Sequence, residues 1–168
     1  MKIISTEQVK ELRDKTGVSV MQCRKALVEA EGDMEKALVI LKKRGADVAA
    51  KKSGRTLGAG TIQSYIHGNG TIGAIVELSS ETDFVAKNEE FKKAAYDIAM
   101  HVAATNPEFL SVDDKGVSDK DEAKEKALLE QAFIKNPDIN IRDFVNSLIQ
   151  KFGEKIEIRR FVRFATSD

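Results

Sequence analysis

The sequence contains no tryptophan, one cysteine and two histidines among its 168 residues. The single cysteine, Cys23, excludes an internal disulfide and a cysteine-based zinc site. The two histidines, His67 and His101, are too few for a histidine-rich metal site, and no acidic or histidine residue follows His101 at the third or fourth position. We therefore expect no metal ion and no cofactor, and we interpret both histidines as packing or surface residues.

Long apolar runs and an export signal are also missing. A membrane-spanning helix needs about 18 or more apolar residues, and the longest runs here are far shorter. The N-terminal stretch MKIISTEQVKELRDK lacks the apolar core and the cleavage site of a signal peptide. We expect a cytoplasmic protein that does not contact a membrane.

Neither sign of charge is in excess, since 27 basic residues balance 27 acidic ones. This balance argues against broad nucleic-acid binding. The aromatic residues, eight Phe and two Tyr, are too few for stacking on bases to be a main activity. The stretch Lys42–Arg55 is locally basic. It is typical of a helix C-terminus, and contact with RNA is the alternative interpretation.

Catalytic motifs are absent from the sequence as well. Gly54, Gly58 and Gly60 precede a predicted strand, whereas the glycines of a phosphate-binding loop follow one. Their composition indicates a linker. No motif combines a nucleophile with a base, so we expect a protein without enzymatic activity.

The first 53 residues carry explicit helix-boundary signals. Ser5 with Gln8 and Ser19 with Gln22 have the capping-box spacing, and Asp33 is suited to cap a third helix. The residues expected to end these helices are Gly17, Gly32 and Gly45, and the tail ADVAAKKS allows another turn or two. The pattern predicts a three-helix module at residues 1–53 and a linker at 54–60.

Residues 61–168 predict a mixed domain. The runs TIQSYIH and TIGAIVEL flank GNG and predict a β-hairpin. One helix is expected from Glu89 to Thr105, capped by Asn88. A second is expected over IRDFVNSLIQKF, capped by Asn140 and stopped by Gly153. A loop and a charged helix are expected between these two helices. The final KIEIRRFVRFAT predicts a strand that returns to the hairpin. Helices on one face of a small antiparallel sheet give an α+β fold.

The segment SSETDFVAKNEEF joins the predicted hairpin to the predicted helix. Thr82 or Asp83 suits the role of a helix cap, with Phe84 in the core. However, Asn88 supplies a second cap, and three consecutive apolar residues, Phe84 to Ala86, lie in the turn. The alternative is therefore a carboxylate and an aromatic ring presented to another molecule.

Several segments resemble the bacterial elongation factor Ts family over nearly the whole chain. ELSSETDFVAKN resembles the hallmark segment of the family, and VKELRDKTGVSVMQCRKALVEAEGDMEKALVILKKRG with AAKKSGR resembles its N-terminal module and the following connection. KIEIRRFVRF is similar to the closing strand of shorter members. The match is poorest from Asn106 to Asp138. SVMQCR departs from the family pattern Gly-Met-Met-Asp-Cys-Lys at Val20, Gln22 and Arg24.

The resemblance implies a UBA-like N-terminal module and a guanine-nucleotide exchange factor that binds elongation factor Tu and accelerates GDP release. It implies that Phe84 acts as a wedge near the Mg²⁺ and phosphate site of the GTPase, with Asp83 as its polar neighbour. The residues implied to shape or extend this contact are Thr82, Val85, Ala86 and Lys87, and those implied to grip the GTPase elsewhere are Arg13, Val20, Met21 and Arg24.

The resemblance also implies an α+β core that serves in dimerisation. The chain lacks the second half of the core that longer relatives have, so a second copy is expected to supply the missing surface in a homodimer. Two alternatives remain: a helical interaction module joined to an assembly domain without effect on nucleotides, and an RNA-binding protein that uses Lys42–Arg55.

Overall fold

The structure, a computed structural model, describes residues 3–114 and 116–167. Residues 1, 2, 115 and 168, which belong to the predicted domains, lie outside the described ranges. The chain divides into two compact units. One comprises Met1–Arg55 with Asp143–Lys155, and the other comprises Thr56–Arg142 with Ile156–Asp168. Helices and antiparallel sheet together confirm the predicted α+β class. None of the helices in the described ranges combines the length and the apolar character that crossing a bilayer requires.

The first unit begins with three helices, α1 (Thr6–Thr16), α2 (Val20–Glu29) and α3 (Met34–Lys52). Ser5 and Gln8 exchange the two bonds of a capping box, and Asp33 accepts the backbone N–H of Lys36 at 3.0 Å, as predicted. At α2 only half of the expected box forms: Ser19 accepts the N–H of Gln22. The Gln22 side-chain oxygen is buried and has no hydrogen-bond partner within the described ranges.

Gly45 does not end the third helix, so this sequence-based expectation is wrong. α3 continues without interruption to Lys52. A Cβ atom at Gly45 would lie 3.3 Å from Asn146 Cβ and from Gln150 Oε1. Both residues belong to α7 (Ile141–Phe152), which ends before Gly153 at φ +70°, as predicted. The glycine therefore permits the close approach of two helices.

The second unit is built on a three-stranded antiparallel sheet, with the second strand of the hairpin in the middle. The predicted hairpin is β1 (Ala59–His67) and β2 (Ile72–Ser80), and β5 (Ile156–Ala165) pairs with β2 as expected. β1 begins at Ala59, so the last two residues of the predicted linker belong to the strand. Gly68 and Gly70 have positive φ in the turn between β1 and β2, which accounts for the glycines there.

A β-bulge in β5 decides which side chains face which side of the sheet. Leu78 pairs with Ile158, but the preceding residue Glu77 pairs with Arg160, so Arg159 is the extra residue. Ile158 and Phe161 consequently lie on the same face despite their odd spacing. After the bulge, the remaining large apolar residues divide between the two faces, with Phe161 opposite Val76 and with Val162 opposite Ile75.

Two helices follow β2, namely α4 (Asp83–Ala86) and α5 (Glu89–Thr105), and both pack against β1 and β2. The bounds and the Asn88 cap of α5 agree with the prediction. The expected charged helix is a single turn, since α6 covers only Lys120–Ala123. A 3-10 turn (Leu128–Glu130) and a small hairpin of β3 (Ala132–Phe133) and β4 (Asn136–Asn140) complete this segment. The sequence did not predict that hairpin.

Candidate functional site

The corner between β2 and α5 exposes a large aromatic ring. Phe84 is 83% exposed, although the two residues that follow it in the turn of α4, Val85 and Ala86, are buried. Thr82 occupies the cap position of α4 in an extended conformation, but its side chain makes no capping hydrogen bond. The interpretation of Phe84 as a core residue is therefore wrong, because its ring extends away from the sheet and helices of its own unit.

The exposed ring is carried by a buried base. Val85 and Ala86 are only 4% and 6% exposed, so they face the interior of the unit rather than solvent. The backbone N–H groups of Ala86 and Lys87 donate to the carbonyl oxygens of Thr82 and Asp83 at 3.2 and 2.9 Å. Val85 and Ala86, which the resemblance implies to shape the contact, thus anchor the corner from inside.

The polar residues of the corner form an ion pair beside the ring. Lys87 Nζ lies 2.7 Å from Asp83 Oδ2, at the helical i,i+4 spacing, and both side chains are largely exposed. The hydrogen bond and the charge of Lys87 lower the pKa of Asp83, and Asp83 in turn raises the pKa of Lys87. Asp83 therefore remains a carboxylate at neutral pH. A solvent-exposed pair of this kind contributes little to stability, so its charges are available to another molecule.

A second exposed patch lies on the N-terminal unit. Val20 and Met21 are 51% and 68% exposed at the start of α2, and Arg24 follows one turn later. Val28, which the sequence reasoning missed, is also half exposed. Its spacing of four, seven and eight residues from the others places it on the same helical face. Arg13 of α1 is exposed too, and its charge acts on the Cys23 thiol of α2.

The cysteine and part of the basic stretch, which the sequence offered as a nucleophile and as an RNA contact, are buried or paired within the protein. Cys23 is fully buried, and burial raises the pKa of its thiol, which makes it a poor nucleophile. In the basic stretch, Lys42 pairs with Asp143 and Arg44 pairs with Glu29. No group of three or more His, Cys, Asp or Glu residues suited to a metal ion occurs in the described ranges.

The outward face of the three-stranded sheet is the largest feature that sequence reasoning did not resolve. The sequence shows an aliphatic face on β1, and the structure directs it to solvent. The apolar side chains on this face are each between 42% and 67% exposed: Ile62, Ile66, Ile75, Val162 and Phe164. Glu77 and Arg160 pair at one side of it, with Arg160 Nε 2.6 Å from Glu77 Oε2. We call these seven residues the outer sheet face.

Comparison with known proteins gives a consistent result. The sequence pattern of the family described as Elongation factor TS matches residues 6–120. The chain is 45% identical to the proteins named Elongation factor Ts from Carboxydothermus hydrogenoformans and Desulfotalea psychrophila. Each alignment covers 96% of this chain, with 88% of the first relative and 97% of the second. The Acetivibrio thermocellus protein of the same name is also 45% identical, with 89% of its length covered.

Proposed function

The chain belongs to the elongation factor Ts family of translation elongation factors, and from this premise we propose that it binds elongation factor Tu and accelerates the release of GDP. The observation that carries the proposal is the exposure of Phe84 on a buried base. A ring that is 83% exposed gains burial only in another molecule, and its insertion there contributes about 1.5–3 kcal/mol.

The proposed mechanism uses that burial energy to distort a nucleotide site. A GTPase holds GDP through its phosphate loop and a bridging Mg²⁺. Insertion of Phe84 between packed side chains near that site shifts the elements that carry these groups, which have a few discrete arrangements. Asp83 lies beside the ring and brings a negative charge toward the same region, where it competes with the phosphates for positive groups.

Thermodynamic linkage makes the effect reciprocal. If the factor weakens GDP binding by a given ratio, GDP weakens binding of the factor by the same ratio. GTP therefore displaces the factor after GDP has left. The nucleotide equilibrium of the GTPase is unchanged, and only the rate of exchange rises. This account needs no covalent chemistry, so we propose an exchange factor rather than an enzyme.

The patch on α2 is proposed as the second contact with the GTPase. Val20 and Met21 supply exposed apolar surface, and the unbranched Met side chain adapts readily to a partner. Arg13 and Arg24 add positive charge around it, which suits an acidic rim on the partner. Two separate contacts on one chain raise the effective concentration of the second once the first has formed.

The test is a nucleotide-release measurement with the purified full chain. Elongation factor Tu loaded with fluorescent GDP is mixed with excess unlabelled nucleotide, with and without the factor. We expect the factor to accelerate the loss of fluorescence in a saturable manner. Binding without acceleration would support the interaction module that leaves nucleotides unaffected, and salt-sensitive RNA binding without acceleration would support the RNA-binding alternative.

We further propose that a second copy of this chain covers the outer sheet face. Five large apolar side chains are exposed on one face, and an exposed apolar patch with polar residues beside it is typical of a protein–protein contact. Glu77 and Arg160 lie side by side on the same face. In a two-fold symmetric contact the surface meets itself, and an axis that passes between the two groups sets the acidic group of each copy against the basic group of the other. The face is therefore complementary to itself in both polarity and charge.

The oligomeric state tests this proposal. We expect sedimentation to give twice the 18.5 kDa of one chain, and Phe164→Glu to give a folded monomer because it buries a charge in the contact. Phe84→Glu is the matched control, since it introduces the same charge at an exposed phenylalanine outside this face. A monomeric wild-type chain, or equal loss of mass in both variants, would contradict the proposal.

A further inference from the structure

Ser80, the last residue of β2, contacts the backbone of the exposed corner from inside. Its side chain is fully buried, and its hydroxyl group donates a hydrogen bond to the carbonyl oxygen of Thr82 at 3.0 Å. The same carbonyl oxygen accepts the backbone N–H of Ala86 at 3.2 Å, the bond that closes the turn of α4. Two donors from the two sides of the corner therefore meet at one acceptor.

This arrangement fixes the direction in which the chain leaves the sheet. A helix of four residues is marginal by itself, because one turn provides few hydrogen bonds for the backbone freedom that is lost. The Ser80 hydroxyl connects that turn to a strand of the sheet. Val85 and Ala86 then face inward, and Phe84, which precedes them, faces outward.

We propose that Ser80 is a positioning residue that presents Phe84 to the GTPase in a ready conformation. The inference rests on the proposed function of Phe84, and it adds a residue that does not touch the partner itself. A ring that is already held in its binding position loses less conformational freedom on insertion. Ser80 therefore acts on exchange through Phe84.

The experiment compares Ser80→Ala with Ser79→Ala in the full chain. Ser79 is the neighbouring serine, also buried, on the opposite face of β2, which makes it a matched control. We expect Ser80→Ala to slow the maximal rate of GDP release at saturating factor by about two- to tenfold, the range that one net hydrogen bond corresponds to. Ser79→Ala should leave this rate unchanged, and Ser80→Cys should restore part of it through the weak thiol donor.

Two readouts separate positioning from a general loss of stability. Hydrogen exchange at the Ala86 and Lys87 amides should accelerate in Ser80→Ala, while exchange at β2 amides such as Val76 stays the same. In the background of Phe84→Ala, the Ser80 substitution should have no further effect on GDP release, because both act through one ring. An equal effect in both backgrounds, or unchanged protection of the α4 amides, would overturn the inference.

Failure of the proposed function gives a different result. If the Phe84→Ala factor accelerates GDP release as much as the wild-type factor does, the wedge mechanism fails, whatever the result for Ser80→Ala. The amide-exchange measurement still judges the positioning role, since it needs neither nucleotide nor partner. If Phe84→Ala impairs release and Ser80→Ala does not, the wedge stands and the positioning role is rejected.

Discussion

Two phenylalanines seven residues apart illustrate how differently α4 and α5 use the same side chain. Phe84 of α4 is 83% exposed, whereas Phe91 in the first turn of α5 is fully buried. Each follows a residue suited to cap a helix by two or three positions. The difference is that α5 packs on the sheet along most of its length, whereas α4 is one turn whose inward positions are occupied by Val85 and Ala86. Burial therefore depends on where the helix lies and not on the residue.

The largest expected effect separates these two residues by function. Phe84→Ala should slow factor-stimulated GDP release by about tenfold or more, because it removes the 1.5–3 kcal/mol of burial energy available for insertion. Its free energy of unfolding should change by less than about 0.5 kcal/mol, as is usual at an exposed position. Stopped-flow nucleotide release and urea unfolding provide the two measurements.

Phe91→Ala is the matched control for that variant. It should lower the free energy of unfolding by about 3–5 kcal/mol, because a large cavity forms in the core. Exchange activity per folded molecule should stay near that of the wild type. Our interpretation of the corner fails if Phe84→Ala unfolds as readily as Phe91→Ala and its folded fraction still accelerates GDP release from elongation factor Tu at the normal rate.

A smaller effect is expected when the second contact is removed. The double variant Val20→Asp with Met21→Asp should weaken binding to elongation factor Tu by about tenfold, because two charges replace apolar surface that the contact would bury. Isothermal titration calorimetry measures the affinity. Val39→Asp is the control, since it places an aspartate at an exposed valine of α3 in the same unit. Equal affinities for wild type and double variant would remove α2 from the proposed interface.

The smallest expected effect is a dependence of stability on pH, and it involves a buried residue of α5. His101 of α5 is fully buried; Nδ1 accepts the N–H of Ile134 at 3.2 Å, and Nε2 lies 3.0 Å from Gln131 Oε1. This pattern suits the neutral ring. Burial lowers the pKa of His101, with Gln131 acting in the opposite direction. Asp97, four residues before His101 on α5, makes ion pairs with Lys93 and Lys135.

The sign of the pH effect follows from that lowered pKa. Above the ordinary value of about 6.5 the ring is neutral in both the folded and the unfolded chain, and its contribution to stability is complete. As pH falls below 6.5 toward the pKa of the folded protein, the unfolded chain takes up the proton first and stability is lost. Urea unfolding between pH 7.5 and 5.5 should show a steeper loss for wild type and His67→Gln than for His101→Gln. Parallel profiles for all three proteins would contradict the assignment.

Much of the local structure was predictable because its causes lie within a few residues. The capping box at Ser5, the cap at Asn88 and the glycines of the hairpin turn depend on hydrogen bonds and φ angles of neighbouring residues. The resemblance to the family also identified the corner as a candidate site. Ser80 and Val28 were not predicted, since a serine at the end of a strand and a valine on a helix are common features without a distinctive signal.

The sequence by itself determined where the capped helices α1, α2, α3 and α5 begin, the α+β class and the family, because short-range hydrogen bonds and side-chain periodicity encode them. The tertiary structure alone decided that Gly45 lies inside a helix, that the aliphatic face of β1 is turned to solvent, and that Phe84 is exposed while Phe91 is buried. These outcomes depend on which elements pack against one another. Packing joins residues far apart in the chain, as the contact of Gly45 with Asn146 does, and no local pattern specifies such a contact.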